Sequence, residues 1–204
     1  MPTSYPFSRG EGDSKTAIVT GSNIGIGFEC ARQLLDLGLS KLILAVRNEL
    51  KGQEASTKLS SGRHLPDSAI EVWNLDLVSY DSIVAFAERV KTSQRLDIAV
   101  LNAGVFKQNY EIVKAAPSTS HEESIQLNVI SNTLLSILLL PSLKPKMPSD
   151  SPGCLAVVSS DVASWSTFTG EDDIDPLLPG FDKPEVFSGW YYYCTSRYQL
   201  TWFK

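Results

Sequence analysis

The sequence has 204 residues, of which 43% are hydrophobic and 20% charged, so it is long enough for one sizeable core. Its net charge of −5 argues against nucleic acid or an anionic membrane as the main partner. The three cysteines lack metal-ligand spacing and suit reduced thiols in a cytoplasmic protein. The polar start, Met1 to Ser14, is unlike a signal peptide, and the most apolar run, Leu134 to Leu140, is too short for a bilayer and is broken by Pro141. We therefore expect a cytoplasmic protein with neither a metal site nor a membrane partner.

Strand and helix signals alternate along the chain. The alternation predicts an α/β fold with a doubly wound parallel sheet, in a single domain over residues 1–204. In such a sheet, ligands bind at the carboxyl ends of the strands. Apolar, β-branched runs predict strands at Thr16–Val19, Leu42–Val46, Ile70–Leu75, Ile98–Leu101 and Cys154–Val158. Helical patterns lie between them at Gly25–Leu37, Glu49–Leu59, Ser82–Val90 and Glu122–Leu140, with Ser79 or Asp81 as the cap of the third helix.

A glycine-rich turn, Thr20–Gly27, follows the first predicted strand and opens the first helix. The first N–H groups of a helix are unpaired, and glycines let a diphosphate approach the backbone. The spacing is G-x-x-x-G-x-G rather than G-x-G-x-x-G, which would want a small residue where Cys30 stands. A turn without a ligand is the alternative. The candidate cofactor-binding residues here are Gly21, Ser22, Asn23, Ile24, Gly25, Ile26 and Gly27.

The next strand ends also carry polar or small residues. Arg47 follows the second strand, where a basic residue accommodates the 2′-phosphate of NADP, helped by Ser22 or Lys51; a solvated arginine at a helix start is the alternative. At Asp76-Leu77, the carboxylate can meet an adenine amino group or cap the following segment. Asn102-Ala103-Gly104 is small enough for a cofactor to lie against its backbone.

Three signatures in this order resemble the short-chain dehydrogenase/reductase family: the turn at Thr20–Gly27, the N-A-G at Asn102–Gly104, and Val157-Val158-Ser159-Ser160. The resemblance runs from Ser14 to about Ser160. Leu101 stands in place of the first Asn of N-N-A-G, and in this detail the sequence is similar to fungal members of the family that resemble retinol dehydrogenases. The resemblance implies a Rossmann fold, NADP as cofactor, and a carbonyl or alcohol substrate in a biosynthetic pathway.

The resemblance also implies a catalytic set. In this family a tyrosine hydroxyl exchanges the proton while hydride passes to or from the nicotinamide, and a serine holds the substrate oxygen. A lysine holds the nicotinamide ribose, and an asparagine positions water. Ser160 matches the serine, and Asn128, within Gln126–Val129, matches the asparagine. A phenol with a pKa of about 10 is a poor base at neutral pH, so a nearby cation must lower that value.

The tyrosine and lysine are where the sequence departs from the family. No tyrosine has lysine four positions on. In one register, Tyr193 and Arg197 reproduce Y-x-x-x-K with arginine for lysine; in the other, Tyr198 is the tyrosine and Trp202 stands at the lysine place. We prefer Tyr193, because Thr195-Ser196 and a cation one helical turn away are both retained. Arginine keeps the charge but does not readily release a proton.

The end of the sequence raises two further expectations. The resemblance implies more helices and strands after Lys204, and their absence would leave Cys154–Ser159 as an unpaired sheet edge. We expect poor solubility, or a second copy or a partner that covers this edge. The acidic, Pro- and Gly-rich segment 161–189 suits a lid-like insertion over an active site. Two functions fit these residues: an NADP-dependent oxidoreductase, or an NADP-binding remnant without redox turnover.

Overall fold

A parallel five-stranded sheet is the centre of the computed structural model, which describes residues 15–93, 95–116, 119–145, 151–167 and 177–200. The strand order is β3-β2-β1-β4-β7, and every neighbouring pair in it is parallel. The predicted fold class is confirmed, and the strand ends differ from the predicted ones by one residue at most. The strands are β1 (Thr16–Thr20), β2 (Lys41–Val46), β3 (Ile70–Asn74), β4 (Ile98–Leu101) and β7 (Cys154–Val157).

The helices follow the strands in the predicted alternation. They are α1 (Gly25–Asp36), α2 (Glu49–Ser60), α3 (Tyr80–Lys91), α4 (Glu123–Ile125), a π-helical turn (Gln126–Ser131), α5 (Asn132–Leu143), α6 (Leu177–Gly180) and α7 (Gly189–Leu200). Ser79 caps α3, since its Oγ accepts a hydrogen bond from the backbone N–H of Ser82. Asp81 lies inside that helix.

Contacts divide the chain into two compact units, which we call the sheet unit and the second unit. The sheet unit comprises Met1–Leu75, Ala85–Ala103 and Ser136–Val157, and the second unit comprises Asp76–Val84, Gly104–Leu135 and Val158–Lys204. The single domain over residues 1–204 and the lid-like insertion at 161–189 both stay predictions.

The core of the sheet unit lies where α1 and α2 pack on β1 and β2. The five residues of β1 are buried throughout, as expected for a central parallel strand covered on both faces. α1 contributes Ala31 and Leu35 to this core, and α2 contributes Ala55 and Leu59. Both pairs have the four-residue spacing that places side chains on one helix face, which explains why the pattern was readable from the sequence.

Strand β7 lies at the edge of the sheet, with β4 as its neighbour. Cys154 and Ala156 are exposed along it. An edge strand presents unpaired backbone groups to another chain. Coverage of this edge by a second copy or a partner is still a prediction.

The second unit contains elements that the sequence did not indicate. β5 (Ile112–Ala116) and β6 (Thr119–Glu122) form an antiparallel hairpin. These strands are short and lack the apolar alternation that a strand prediction needs. A small buried cluster of Ile125, Phe181 and Tyr192 forms the apolar centre of this unit.

One prediction about the apolar helix is wrong. Pro141 does not end it, because α5 runs through that residue to Leu143. By length and composition, the continuous helix Glu123–Leu143 is long and apolar enough to cross a membrane, but 50% of its apolar window is buried in the protein, as in an ordinary core helix. The absence of a membrane partner stays an expectation.

Candidate active site

The glycine turn has a backbone that requires its glycines. Gly21 and Gly25 both have φ of +63°, in the left-handed region that side chains other than glycine rarely adopt. A Cβ at Gly27 would lie 2.5 Å from Nδ2 of Asn102 and 2.5 Å from the carbonyl oxygen of Gly21. The three glycines named by the sequence are therefore each needed, two for the backbone conformation and one for space.

The start of α1 is open to a ligand. Ile24 precedes the helix in an extended conformation, and no side chain among the described residues caps α1 at this position. Ile24 and Ile26 are each 73% exposed. Exposed first N–H groups at a helix start, next to glycines without side chains, fit a diphosphate. The exposed helix start, beside Gly21 and Gly25 with no side chains, therefore fits the diphosphate of a dinucleotide.

Thr20 ties the Asn102 turn to the glycine turn, and the sequence analysis did not single it out. Its buried Oγ accepts hydrogen bonds from the N–H groups of Asn102 and Ala103, at 3.0 and 2.9 Å. The Asn102 side chain donates to the carbonyl oxygen of Thr20 at 3.1 Å. The amide of Asn102 thus positions the two turns, and only the spatial neighbourhood of β1 and β4 shows it.

The candidate residues for the 2′-phosphate differ in exposure. Arg47 and Lys51 are exposed, at the end of β2 and in the first turn of α2. The carbonyl oxygen of Arg47 accepts a hydrogen bond from Asn74, which fixes the backbone there. Ser22 is fully buried, and among the described residues its Oγ has no hydrogen-bond partner. The two cations are therefore free to meet a ligand from solvent, whereas Ser22 is not exposed to it.

Asp76 caps its own turn. Its Oδ1 accepts a hydrogen bond from the N–H of Val78 at 3.0 Å. Leu77 is buried, and its carbonyl oxygen accepts from Ser131 Oγ at 2.6 Å. Of the two interpretations left open by the sequence, the structure contains the cap; a contact of Asp76 or Leu77 with adenine stays a prediction.

Asn128 is fully buried in the second unit, where its side chain bonds two separate segments. It lies in the π-helical turn, a local widening of the helix that often accompanies functional sites. Its Oδ1 accepts from the N–H of Val105 at 2.8 Å, and its Nδ2 donates to the carbonyl oxygen of Val105 and to Oγ of Ser196, each at 2.9 Å. Asn128 thus fixes α7 to the segment after β4. Its partner is Ser196, one of the two residues between Tyr193 and Arg197 that favour this register.

Ser159 and Ser160 have different contacts. Ser159 Oγ donates to the carbonyl oxygen of Arg197 at 2.8 Å, so it positions α7. Ser160 is half-buried and caps a short 3₁₀ helix, Asp161–Trp165, by accepting from the N–H of Val162 at 3.4 Å. Its hydroxyl lies 3.2 Å from Oδ1 of Asp161. These bonds are long or exposed, which leaves Ser160 the more available of the two hydroxyls.

Arg197 is buried beside Gly104 and Tyr193. It is only 7% exposed, and its Nη1 donates to the carbonyl oxygen of Val158 at 3.2 Å. Its Cζ lies 5.0 Å from the centre of the Tyr193 ring, within cation–π range. A Cβ at Gly104 would lie 3.0 Å from that Cζ and nearer still to Nη2, so the glycine leaves room for the guanidinium.

The positive charge of Arg197 lacks a carboxylate partner among the described residues, and its Nε has no hydrogen-bond partner there. Removing a charge from water without pairing it is costly. A different cation, Lys107, is paired with Glu123, and that hydrogen bond raises the pKa of Lys107. Burial raises the pKa of the neighbouring Glu122. Arg197, the cation without a carboxylate partner, therefore lies beside the candidate tyrosine, whereas Lys107 lies beside Glu123.

Among the described residues, no group of histidine, cysteine or carboxylate side chains could hold a metal ion. The acidic run Glu171-Asp172-Asp173, which we interpret as solvated surface, lies outside the described residues. The expectation that the protein has no metal site stays untested.

Known proteins with the same signatures match most of this chain. The family model described as short chain dehydrogenase matches residues 15–170. The short-chain dehydrogenase fogG of Aspergillus ruber is 48% identical over 200 residues, which cover 96% of this chain and 56% of that protein. The short chain dehydrogenase/reductase mfmJ of Annulohypoxylon moriforme is 46% identical, over 95% of this chain and 55% of that protein. The chain thus spans about half the length of these relatives.

Solved structures agree with the fold. A short chain dehydrogenase from Shigella flexneri, solved in complex with NADP, has a TM-score of 0.63 and 25% identity, over 92% of this chain and 67% of that chain. The RhlG/NADP active-site complex of Pseudomonas aeruginosa has a TM-score of 0.65 and 25% identity, over 92% of this chain and 63% of that chain.

Proposed function

The chain belongs to the short-chain dehydrogenase family, and we propose that it is an NADP-dependent oxidoreductase that interconverts a carbonyl and an alcohol on a small metabolite. The glycine turn is the observation that carries this proposal, because its backbone, space and open helix start all fit a dinucleotide. The identities to fungal relatives support a place in fungal secondary metabolism.

The candidate cofactor-binding residues would contact different parts of NADP. Gly21 to Gly27 would hold the diphosphate through backbone N–H groups. Arg47 and Lys51 would pair with the 2′-phosphate, because both are exposed cations. Asn102 to Gly104 would offer a flat backbone surface. The bound nicotinamide supplies or accepts the hydride.

The second unit holds the candidate proton chemistry. Ser160 would hold the substrate oxygen, and Tyr193 would give it a proton. Arg197 places a positive charge 5.0 Å from the centre of the Tyr193 ring. Asn128 holds Ser196 and so the turn of α7 between the tyrosine and the arginine.

Two observations favour Tyr193 over Tyr198 as the catalytic tyrosine. Tyr193 has the buried cation beside its ring. Tyr198 packs against the apolar cluster of Ile125, Phe181 and Tyr192. Trp202, which stands at the lysine place of the second register, lies outside the described residues.

The experiment that tests cofactor binding is a titration with NADPH, followed by its fluorescence. We expect saturable binding that weakens in Arg47→Ala, with little change for NADH, because only the 2′-phosphate is lost between the two cofactors. Lys58→Ala is the matched control, since it removes an exposed charge from the far end of α2. Equal losses for NADPH and NADH in Arg47→Ala would overturn the role of Arg47.

The second candidate function is a cofactor-binding protein without redox turnover. Arg197 is the observation that favours it, because arginine keeps its proton and weakens the relay that a lysine would serve. NADPH consumption with a panel of ketones separates the two. Turnover that is lost in Tyr193→Phe and retained in Tyr198→Phe supports the oxidoreductase, and binding without any turnover supports the second candidate.

A further inference from the structure

Four aromatic side chains form a contiguous surface in the second unit. We call Phe106, Trp165, Trp190 and Tyr193 the aromatic strip. Phe106 is 47% exposed, Trp165 61% and Trp190 49%, while Tyr193 is half-buried. Single exposed apolar residues are ordinary, but large rings exposed side by side mark binding surfaces.

The rings of the strip hold one another in place. Phe106 makes edge-to-face contacts with Trp190 and Tyr193, at centroid distances of 6.3 and 5.3 Å. Trp165 and Trp190 lie 5.8 Å apart with their planes inclined by 43°. Because each ring touches another, the strip is a preformed surface whose side chains lose little freedom on binding a ligand.

The strip leads to the candidate catalytic groups from two sides. Trp190, Tyr193 and Arg197 are spaced three and four residues apart on α7, so they follow one helix face. Trp165 ends the 3₁₀ helix whose first turn is capped by Ser160. The exposed rings therefore contact Tyr193, the residue proposed to protonate the substrate oxygen, and Trp165 follows Ser160 by five residues in the chain.

The strip favours flat and uncharged ligands. Its exposed members are aromatic, and the cation at its inner end is only 7% exposed. Aromatic rings attract other rings in offset or edge-to-face arrangements, beyond the effect of burying apolar area. A puckered aliphatic ring of the same size would gain the burial but not the ring contact.

We propose that the substrate of this site is an aryl ketone, or the corresponding benzylic-type alcohol, whose planar ring lies on the aromatic strip with its oxygen towards Ser160 and Tyr193. This inference rests on the proposed function for the reaction. Its binding part is independent of the cofactor.

The test compares two ketones with one carbon skeleton, 2-acetylnaphthalene and its saturated counterpart 2-acetyldecalin. Binding to the whole chain is measured by equilibrium dialysis without NADPH. We expect the aromatic ketone to bind several-fold to about tenfold more tightly, the range that ring contacts contribute. Trp190→Leu and Trp165→Leu should remove that preference and leave the binding of the saturated ketone nearly unchanged.

The control variant is Ile137→Ala, which removes an exposed apolar side chain from α5 and should leave both affinities unchanged. Equal binding of the two ketones, or a preference that survives in both tryptophan variants, would overturn the proposal. If the protein prefers the aromatic ketone but does not bind NADPH, the proposed oxidoreductase function is wrong and the aryl-binding proposal is supported. If the protein consumes NADPH but does not prefer the aromatic ketone, the oxidoreductase function is supported and the aryl-binding proposal is wrong.

Discussion

The glycine turn of the sheet unit and the Tyr193 region of the second unit are built in different ways. The turn depends on the backbone of one continuous segment, with glycines at positive φ and a helix start that no described side chain caps. The Tyr193 region depends on contacts between segments far apart in the chain: Asn128 bonds Ser196, Ser159 bonds the carbonyl oxygen of Arg197, and Gly104 leaves room for the Arg197 guanidinium. A site that depends on local backbone conformation tolerates few substitutions in its own segment. A site that depends on side-chain contacts can keep its arrangement when one residue is substituted and its neighbours adjust.

The sequence departs from the family pattern accordingly. The glycine turn keeps every glycine that its geometry needs. The changes concern the tyrosine and lysine pair, where Arg197 occupies the lysine place beside Tyr193. Four substitutions test whether the contrast between backbone and side-chain construction holds.

Gly27→Ala should have the largest effect. Its Cβ would lie 2.5 Å from both Asn102 Nδ2 and the Gly21 oxygen, so α1 must move away from the turn. We expect NADPH affinity to fall by about a hundredfold, or about 2.8 kcal/mol. Gly62→Ala, at φ of +72° in open space, is the control that lowers the unfolding free energy by about 1–2 kcal/mol without changing affinity. Unchanged NADPH affinity in Gly27→Ala would contradict the backbone description of the turn.

Asn128→Leu should destabilise the second unit next most strongly. It leaves the N–H and carbonyl of Val105 and the hydroxyl of Ser196 without their buried partner. We expect the unfolding free energy, measured in urea, to fall by about 2–4 kcal/mol. Ser196→Ala removes one of those bonds and should cost about 1 kcal/mol. An equal cost for the two variants would show that the Val105 bonds contribute nothing.

Gly104→Ala tests the space around Arg197. The added Cβ would displace the guanidinium from the Tyr193 ring, so we expect NADPH turnover to fall. Lysine lacks the planar fork, so Gly104→Ala should cost less in an Arg197→Lys background. The double-mutant cycle should show a coupling of about 0.5–3 kcal/mol. Strict additivity would mean that the two residues do not compete for space.

Glu122→Gln should have the smallest effect, visible as a change in pH dependence. Burial raises the pKa of Glu122 above its ordinary value of 4.5. As the pH rises from the pKa of Glu122 in the unfolded chain towards its higher pKa in the folded protein, the unfolded chain releases this proton first. Folding stability therefore decreases over this range. Across that window, the unfolding free energy of Glu122→Gln in urea should rise relative to that of the parent chain as the pH increases. Glu54→Gln, an exposed carboxylate, should leave the profile unchanged.

The sequence predicted the strands of the sheet to within a residue, because apolar β-branched runs and glycine turns are local signals. It named the glycines and the two candidate cations of the nucleotide site for the same reason. It did not show the hydrogen bonds that Thr20 and Ser196 make to residues 82 and 68 positions away. It also missed the β5–β6 hairpin and misread Pro141, since a buried helix face can outweigh a local breaking signal.

What the sequence by itself determined is the order of elements, the parallel sheet and the glycine cradle. Each follows from the periodicity or conformational freedom of residues that are neighbours along the chain. Only the tertiary structure decided which hydroxyls position α7, that Gly104 makes room for Arg197, and that exposed rings continue into the Tyr193 region. Those facts depend on distances between residues far apart in sequence, which no local pattern encodes.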